Sequence, residues 1–543
     1  MSDLRSVSRR SFLTVVGISS TAALLSACGL NPAPPQATTA PVNATAQPAA
    51  ARAPQRGGQL LLAAQNDTQT FDPHRTTGGS AAYGMVYNTL IRWEPQSDGS
   101  FKAAPDLATE WTLDGATATF KLRPGVKFHD GTDWTADVAK FNLERMNDAK
   151  SQARAFVSGI NSIEVLDPLT VRLNLVAPLG SLLSNLSQAA DGRPYMISKA
   201  MADKAGDNYG TSPETTAGTG PMKLVEWVQG NVHTVQRTGT YWEMGADGQT
   251  LPYYDSLKVR FIADDTVRLT ELRSGNVHII DNIQSKDVPT ATKEAGLDIV
   301  ENPNQVSCYQ FTFSTKSQKF ADVKLRQAVQ YAMDRETLAK VLGQGLGEPE
   351  YWFLTRGYLG YDESLPHYSF DKAKAQQLVT EAGYPNGVDI GLLIINRSVD
   401  QQEAQIVKQM LGDVGIRANI EVLERLAWLA RVQTLDFDMG LYFTGLRPDP
   451  DSILAGRFQT GEGKNQAGMS DPVMDELLAQ GRGSLDDSVR VAAYAKVQQR
   501  IYDTAWYGTM WMKKYYDGYS KKVAGRGLVQ QAGFELHPLW LQS

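Results

Sequence analysis

The spacing of apolar residues divides the chain, from residue 59 onward, into short strands and amphipathic helices. Apolar or alternating runs predict strands at residues 59–63, 116–122, 169–175 and 416–422. Apolar positions three and four residues apart predict helices at residues 322–333, 371–382 and 402–414. Strands and helices occur throughout and no repeat of fixed period is present, so the sequence predicts an α/β fold.

The first 57 residues differ in composition from the rest and predict an export signal followed by a tether. Arg9 and Arg10 precede an apolar stretch of about 14 residues, which is shorter than the roughly 20 that span a bilayer. This arrangement is typical of a twin-arginine signal peptide at residues 1–27. Cys28 ends the run Leu25-Ser26-Ala27-Cys28, which resembles a lipoprotein lipobox, so Cys28 is expected to carry the acyl chains.

Two other interpretations of this terminus stay open. The arginine pair could precede a buried helix by chance, and the cysteine could be incidental to an ordinary cleavage site. Residues 28–57 are rich in Pro, Ala and Thr and bury too little apolar surface to fold, so we expect a semi-rigid linker behind the lipid.

Composition limits the classes of protein that the folded part can represent. A chain of 543 residues is too long for a single core, so two or more lobes are expected. The formal net charge of −6 argues against a nucleic-acid-binding protein. There are two cysteines, and lipidation of Cys28 leaves Cys308 without a disulfide partner, which predicts a buried apolar role for Cys308.

A series of short motifs, in one order along the chain, resembles a known family. The motifs are PDLATEW at 105–111, FKLRPGVKFHDG at 120–131, TADV at 135–138, GTGPMKL at 218–224, LRQA at 325–328 with AMDR at 332–335, EAGYP at 381–385 and DPD at 449–451. Together they are similar to the extracellular solute-binding proteins of ABC transporters, family 5, the peptide/nickel type that includes dipeptide- and oligopeptide-binding proteins. Met222 stands where the family has an aromatic residue.

The resemblance implies a two-lobed periplasmic-binding-protein-like fold of type II, of the large class with an extra subdomain in the first lobe. By analogy the first lobe is expected at residues 58–300, with the inserted subdomain at about 95–215. The second lobe is expected at 301–505, and residues 506–543 are expected to return to the first lobe.

The implied function is capture of a peptide-class or related small solute outside the cytoplasm and its delivery to an ABC importer permease by lobe closure. The protein is expected to be a monomer in the periplasm or at the cell surface, held to the membrane only by its lipid, with no nucleic-acid partner. Neither a cofactor nor a metal is expected.

The motifs carry no recognisable catalytic chemistry. The pair His129 and Asp130 is interpreted as a strand end followed by a turn, and residues 343–347 as a glycine-rich helix exit. Asp449 is expected to lead a turn into a helix N-cap rather than to hold calcium. Two alternatives are kept: a secreted lipoprotein hydrolase, which would need a nucleophile with a base or a metal, and a sensory receptor built on the same fold.

The family resemblance also suggests ligand-binding residues. Arg397 stands where dipeptide binders hold the ligand carboxylate, and a planar guanidinium suits that group. Leu446, beside Arg447, stands where free-peptide binders place the aspartate that pairs with the ligand amine. The hypothesis is a pocket that prefers an acidic or amine-lacking solute. The expected ligand-binding set is Arg397, Arg425, Trp428, Phe443, Gly445, Leu446 and Arg447, with Tyr442 and Trp352 as further candidate walls.

For each arginine the alternative is a surface ion pair, and for each aromatic residue it is a place in the core.

Overall fold

The computed structural model describes residues 53–76, 80–96, 100–188, 194–445, 449–525 and 536–542. Its strands are β1 Gln59–Ala64, β2 Ile91–Pro95, β3 Phe101–Pro105, β4 Ala108–Asp114, β5 Thr117–Leu122, β6 Ile160–Asp167, β7 Thr170–Leu175, β8 Met222–Val228, β9 Val232–Arg237, β10 Ser256–Phe261, β11 Ile279–Ile280, β12 Leu297–Phe313, β13 Glu348–Pro349, β14 Val388–Ile395, β15 Ile416–Leu423, β16 Met439–Gly445, β17 Tyr507–Ser520, β18 Val523–Ala524 and β19 Trp540–Leu541.

The helices fall between these strands along the chain. They are α1 Tyr83–Val86, α2 Ala136–Met146, α3 Arg154–Val157, α4 Leu182–Asn185, α5 Lys199–Ala205, α6 Asp265–Arg273, α7 Val288–Ala291, α8 Val323–Ala332, α9 Arg335–Leu342, α10 Lys372–Glu381, α11 Ser398–Gly412, α12 Arg425–Gln433, α13 Pro450–Phe458, α14 Pro472–Arg482 and α15 Asp487–Thr504. The predicted α/β character is confirmed, and the predicted strands and helices are found to within a few residues.

One sheet carries most of the strands, in the order β15-β14-β16-β12-β17-β11-β1-β10-β9-β8, with β13 pairing at the side of β17. Near one end β14 is parallel to both β15 and β16. Near the other end β1 is parallel to β10 and β11. Between them the long strands β12 and β17 run antiparallel. A separate antiparallel sheet has the order β4-β5-β7-β6.

Two of the larger groups of buried apolar side chains lie along this sheet. One group includes Leu60 and Val259 and takes in Tyr519 near the end of β17. The other includes Phe311 of β12 and takes in Trp511 from the first half of β17. Strands β12 and β17 therefore run through both groups, which gives the two-lobed arrangement that the family resemblance implies.

Two of the sequence motifs, at residues 120–131 and 218–224, are packed against each other. The Nε2 atom of His129 lies 2.9 Å from the Gly220 carbonyl oxygen, and Nδ1 accepts a hydrogen bond of 3.3 Å from the Gly218 amide. Burial lowers the pKa of His129 to about 4, so the ring is neutral at pH 7 and can serve as donor and acceptor at once. The predicted turn after this histidine is confirmed, because Gly131 has φ +87° and Asp130 accepts from the Thr132 amide.

The glycines of the second motif are required by close backbone approach. A Cβ atom on Gly218 would lie 2.0 Å from the Val86 carbonyl oxygen, and one on Gly220 would lie 2.4 Å from that of Met85. Any larger residue would force the two backbones apart.

The predicted helix ends are set by the expected capping residues. Asp322, Asp371 and Asp449 each accept a backbone N–H of the following helix, and Gly383 follows α10 with φ +92°. The interpretation of Asp449 as an N-cap is confirmed. The helix expected at 402–414 instead begins at Ser398. Its first turn carries Asp400, whose polarity interrupts the apolar stripe on which the sequence interpretation relied.

We expect Gly220→Ala to lower the free energy of unfolding by about 1–3 kcal/mol, because the added methyl group overlaps a backbone carbonyl. Urea unfolding followed by circular dichroism measures this change. Gly412→Ala is the matched control, since a Cβ atom there meets no atom within 4 Å. Equal unfolding midpoints for Gly220→Ala and the unmodified protein would contradict the packing argument.

Candidate functional site

The parallel strands β14, β15 and β16 end at the same edge of the sheet. Their last residues are Ile395, Leu423 and Gly445, and the helices α11, α12 and α13 begin just beyond them. In open α/β sheets, ligands bind outside the carboxyl ends of the strands. This edge, called the carboxyl edge below, is therefore the candidate site.

Arg397 lies at the carboxyl edge as the N-cap residue of α11. Its Nε and Nη2 atoms donate to the two carboxylate oxygens of Asp400 at 2.5 and 2.6 Å. The guanidinium carbon lies 4.2 Å from the centre of the Phe443 ring. The guanidinium is thus held on one side and on one face, and its third nitrogen, Nη1, is outside the fork to Asp400.

Three aromatic rings form a ladder from this arginine into the sheet. Phe443 of β16 is opposite Tyr309 of β12, and Tyr309 is opposite Trp511 of β17. The first two ring centres lie 5.9 Å apart, and the second pair stacks at 4.3 Å with planes 7° apart. Phe443 is 38% exposed while the other two rings are buried, so the ladder joins the surface to the core.

Glu403 contacts the innermost ring of the ladder, Trp511. Its Oε1 atom accepts the indole N–H of Trp511 at 2.7 Å, and its side chain is fully buried. Burial raises the pKa of Glu403 to about 8, so this acid is protonated at neutral pH. The sequence analysis identified neither Asp400 nor Glu403. The available signal was their spacing, three and six residues after Arg397 on one helix, which brings them to one face.

The other predicted residues lie in different surroundings. Arg425 is the first residue of α12 and is exposed. Trp428 and Tyr442 are buried in one apolar cluster behind the carboxyl edge. Trp352 lines a separate pocket together with Tyr368 and Tyr502, and its indole N–H donates to the Leu365 carbonyl. Gly445 is the exposed last residue of β16.

The structure thus brings Arg397 and Phe443 into direct contact, while their roles in binding stay predictions. Leu446, Arg447, Cys28, Arg9 and Arg10 lie outside the described residues. Cys308 is buried, as expected, and is a free thiol.

Backbone pairing at the carboxyl edge is uneven on the two sides of β16. Strand β12 pairs with β16 as far as Ser307 and Gly445. On the other side, β14 pairs with it at Leu392–Met439 and Leu393–Gly440. The last residues of β16 extend beyond this parallel pairing, next to Arg397. A strand edge of this kind can receive an extended ligand through main-chain hydrogen bonds.

Two further searches concern metal binding and membrane insertion. Among the described residues, no group of three or more His, Cys, Asp or Glu side chains is arranged to hold a metal ion. Within the same ranges, no helix combines the length and apolar character needed to cross a bilayer.

Comparison with known proteins places these features in a family. The sequence profile of the bacterial extracellular solute-binding proteins, family 5 Middle, matches residues 102–465. The glutathione-binding protein GsiB of Escherichia coli (strain K12) is 28% identical over 500 residues, covering 89% of this chain and 94% of that protein.

Solved structures give the same fold. The binding protein AgaA from A. tumefaciens R10, in complex with agropinic acid, has a TM-score of 0.72 at 26% identity, covering 90% of this chain and 99% of that one. HbpA2 from Haemophilus parasuis has a TM-score of 0.78 at 21% identity, with 90% and 100% covered. The profile spans more than half of the sequence, and the two-lobed fold agrees with it. The chain therefore belongs to the bacterial extracellular solute-binding proteins of family 5, the solute-binding components of ABC importers.

Proposed function

We propose that the protein captures a peptide-class or acidic small solute at the carboxyl edge, with Arg397 receiving a carboxylate, and releases it to the permease when the lobes open. The observation that carries this proposal is the fixed guanidinium of Arg397, stacked on a partly exposed Phe443 and forked to Asp400. A guanidinium that is already oriented loses little conformational freedom when it binds a planar acid.

The helices at the carboxyl edge support an anionic ligand group. Helix α11 has 15 residues and α12 has nine, and both begin beside the candidate site. Their N-cap residues, Arg397 and Glu424, make no side-chain cap bond, so first-turn N–H groups stay available. The positive end of each helix dipole adds a further attraction for an acid.

The acids under the carboxyl edge do not compete equally for Arg397. Asp400 occupies the Nε and Nη2 side of the guanidinium, which leaves the Nη1 end for a ligand. Glu403, whose pKa is raised to about 8, carries no charge at neutral pH. Among the described residues, Asp400 is thus the carboxylate that pairs with Arg397, and a second carboxylate can come from the solute.

The relatives support an acidic or peptide-class solute. GsiB is named for glutathione, and AgaA was solved with agropinic acid. Leu446 stands where free-peptide binders have an aspartate, and a buried ammonium without a carboxylate partner is costly. We therefore keep the hypothesis that an acidic or amine-lacking solute is preferred over a free peptide.

We also propose that the mature protein is a monomeric lipoprotein, exported through Arg9 and Arg10 and anchored by Cys28 in the periplasm or at the cell surface. Residues 28–57 would be the linker. The proposed lobes, 58–300 and 301–505 with 506–543 returning to the first, are supported by the two groups of buried side chains.

The binding proposal predicts a loss of affinity when Arg397 is replaced. Native mass spectrometry of the purified protein identifies the solute that it retains, and calorimetry then measures the affinity of that solute. We expect Arg397→Gln to weaken binding about ten-fold or more, because a charge-assisted pair is lost. Arg356→Gln is the control, since Arg356 is exposed and forms an ion pair with the exposed Glu363. Tight binding of unmodified di- or tripeptides that is undiminished in Arg397→Ala would remove the hypothesis.

The anchor proposal predicts that Cys28→Ser moves the protein from the membrane fraction to the soluble fraction, because no acyl chain can be attached. Fractionation with immunodetection measures the distribution, and Cys308→Ser is the matched control. Membrane association of Cys28→Ser equal to that of the unmodified protein would contradict lipidation at this residue.

The buried Glu403 predicts a pH-dependent difference in stability. Its pKa is raised in the folded state, so its stabilising contribution is complete below about pH 4.5 and is lost as pH rises toward 8. Glu403→Gln keeps an oxygen for Trp511 and does not titrate. Urea unfolding at pH 5 and pH 8 should show the variant gaining stability relative to the unmodified protein as pH rises.

The exposed Glu462→Gln serves as the control for this experiment and should show no such trend. A stability difference for Glu403→Gln that does not change between the two pH values would mean that Glu403 is ionised in the folded protein.

A further inference from the structure

Arg457 is the exception among the buried arginines of the described chain. Arg268, Arg326 and Arg335 each donate to three or four backbone carbonyls, and Arg490 pairs with Asp449 at 2.7 Å. Arg457 of α13 is 8% exposed and donates to Gln466 Oε1 at 3.3 Å. Within the described ranges no carboxylate lies at ion-pair distance from it. A buried cation left without an anion is unfavourable, which points to a missing partner.

Three more buried polar groups make no hydrogen bond of normal geometry among the described residues, although the hydroxyl of one of them, Tyr442, interacts with the guanidinium of Arg457. They are the Oε1 atom of Gln310, the hydroxyl of Tyr442 and the indole N–H of Trp428. These side chains are 1%, 3% and 6% exposed. More than nine in ten buried polar groups in proteins are hydrogen-bonded, so three orphans in one region call for a physical reason.

Gln310 and Arg457 both lie against Tyr442, and Trp428 belongs to the same apolar cluster as Tyr442. Gln310 and Tyr442 are directly opposite in the β12–β16 register, so their side chains share one face of the sheet. The guanidinium carbon of Arg457 lies 4.4 Å from the centre of the Tyr442 ring. Trp428 packs in the same apolar cluster as Tyr442.

Neighbouring acids do not neutralise Arg457. Glu350 and Arg457 both act on the buried thiol of Cys308, whose pKa is raised chiefly by burial, which puts the two groups in one neighbourhood. Burial also raises the pKa of Glu350 to about 8, and its Oε1 atom accepts the amides of Tyr351 and Trp352. Glu350 is therefore neutral at pH 7, and the positive charge of Arg457 is uncompensated.

We propose that Arg457, Tyr442 and Trp428 form a subsite for a carboxylate of the solute, with Gln310 accepting a hydrogen bond from an adjacent hydroxyl or amide. The set supplies a cation, one O–H donor, one N–H donor and one acceptor, which is the chemistry of an acid next to a donor group. This inference rests on the proposed function and deepens it.

The position of the subsite narrows the class of solute. Tyr442 immediately precedes Phe443 in β16, so the subsite and the Arg397 site lie on opposite faces of this strand. A solute that occupies both sites carries two acid groups. The solute class that this inference favours is therefore a small diacid.

Fluorine NMR of solute-free protein labelled with 5-fluorotryptophan tests the subsite with acetate as the probe. The chain has ten tryptophans, and Trp428→Phe assigns the Trp428 resonance. We expect acetate to shift this resonance, and acetamide, its uncharged counterpart, to leave it unmoved. The acetate shift should disappear in Arg457→Met and persist in the exposed-site control Arg356→Met. Equal shifts from acetate and acetamide, or an unchanged acetate shift in Arg457→Met, would overturn the proposal.

Tyr442→Phe keeps the test decisive if Arg457→Met fails to fold. The Tyr442 hydroxyl interacts with Arg457 but makes no hydrogen bond of normal geometry, so its removal should leave the melting temperature of the solute-free protein within about a degree of the unmodified value. The same change should lower the affinity for the retained solute about three-fold or more. A purely structural hydroxyl would lower the melting temperature and leave the affinity unchanged, which would contradict the subsite.

The retained solute separates this inference from the proposed function. Loss of binding in Arg397→Gln with full binding in Arg457→Met would reject the subsite and leave the proposed function intact. Full binding in both variants would reject the two together.

Discussion

The antiparallel pairing of β12 with β17 is the interaction on which the rest of the structure depends. Both strands pack against both groups of side chains. The chain passes from the first group to the second along β12 and returns along β17. The register shifts between Glu301 and Val306, where the ladder passes from one group to the other. A bulge bends and twists a strand without breaking the sheet. A second shift follows between Tyr309 and Gln310, so the long pairing is interrupted twice without being broken.

The same pairing also fixes the interior of the candidate site. Tyr309 is held between Phe443 and Trp511 by its neighbours across the sheet, and Trp511 is held by Glu403. The backbone register of the strands thus positions the three rings. Phe443, the outermost ring, in turn packs against the guanidinium of Arg397. Preorganisation of this kind lets a few polar contacts discriminate among solutes.

Most of the secondary structure could be predicted from the sequence, because apolar spacing, aspartate caps and glycine stops act over short distances. Strand β1 and helices α8 and α10 were predicted to within one or two residues for this reason. Arg397 was found through a family position, and its contact with Phe443 agrees with a site there. The pairing of β12 with β17 could not be predicted, since it joins residues about 200 positions apart.

The buried polar residues were the part that local pattern could not reveal. Glu403 and Asp400 read as ordinary surface acids on an amphipathic helix, and only tertiary packing shows that they are covered. Arg457 likewise gave no signal, because the atoms it lacks are recognisable only once its neighbours are known. Trp428 fits a helical apolar spacing equally well as core or as wall, and only the structure shows that it is buried in an apolar cluster with an N–H that makes no hydrogen bond among the described residues.

The clamp between His129 and the two glycines at 218 and 220 has a consequence for classifying such chains. The motif residues that identify the family most clearly make contacts within one lobe. They are far along the chain from Arg397 and β16. These residues indicate the fold but not the identity of the solute. These motifs therefore identify the family of a chain without indicating its solute, and the proposed solute site lies elsewhere, beside Arg397.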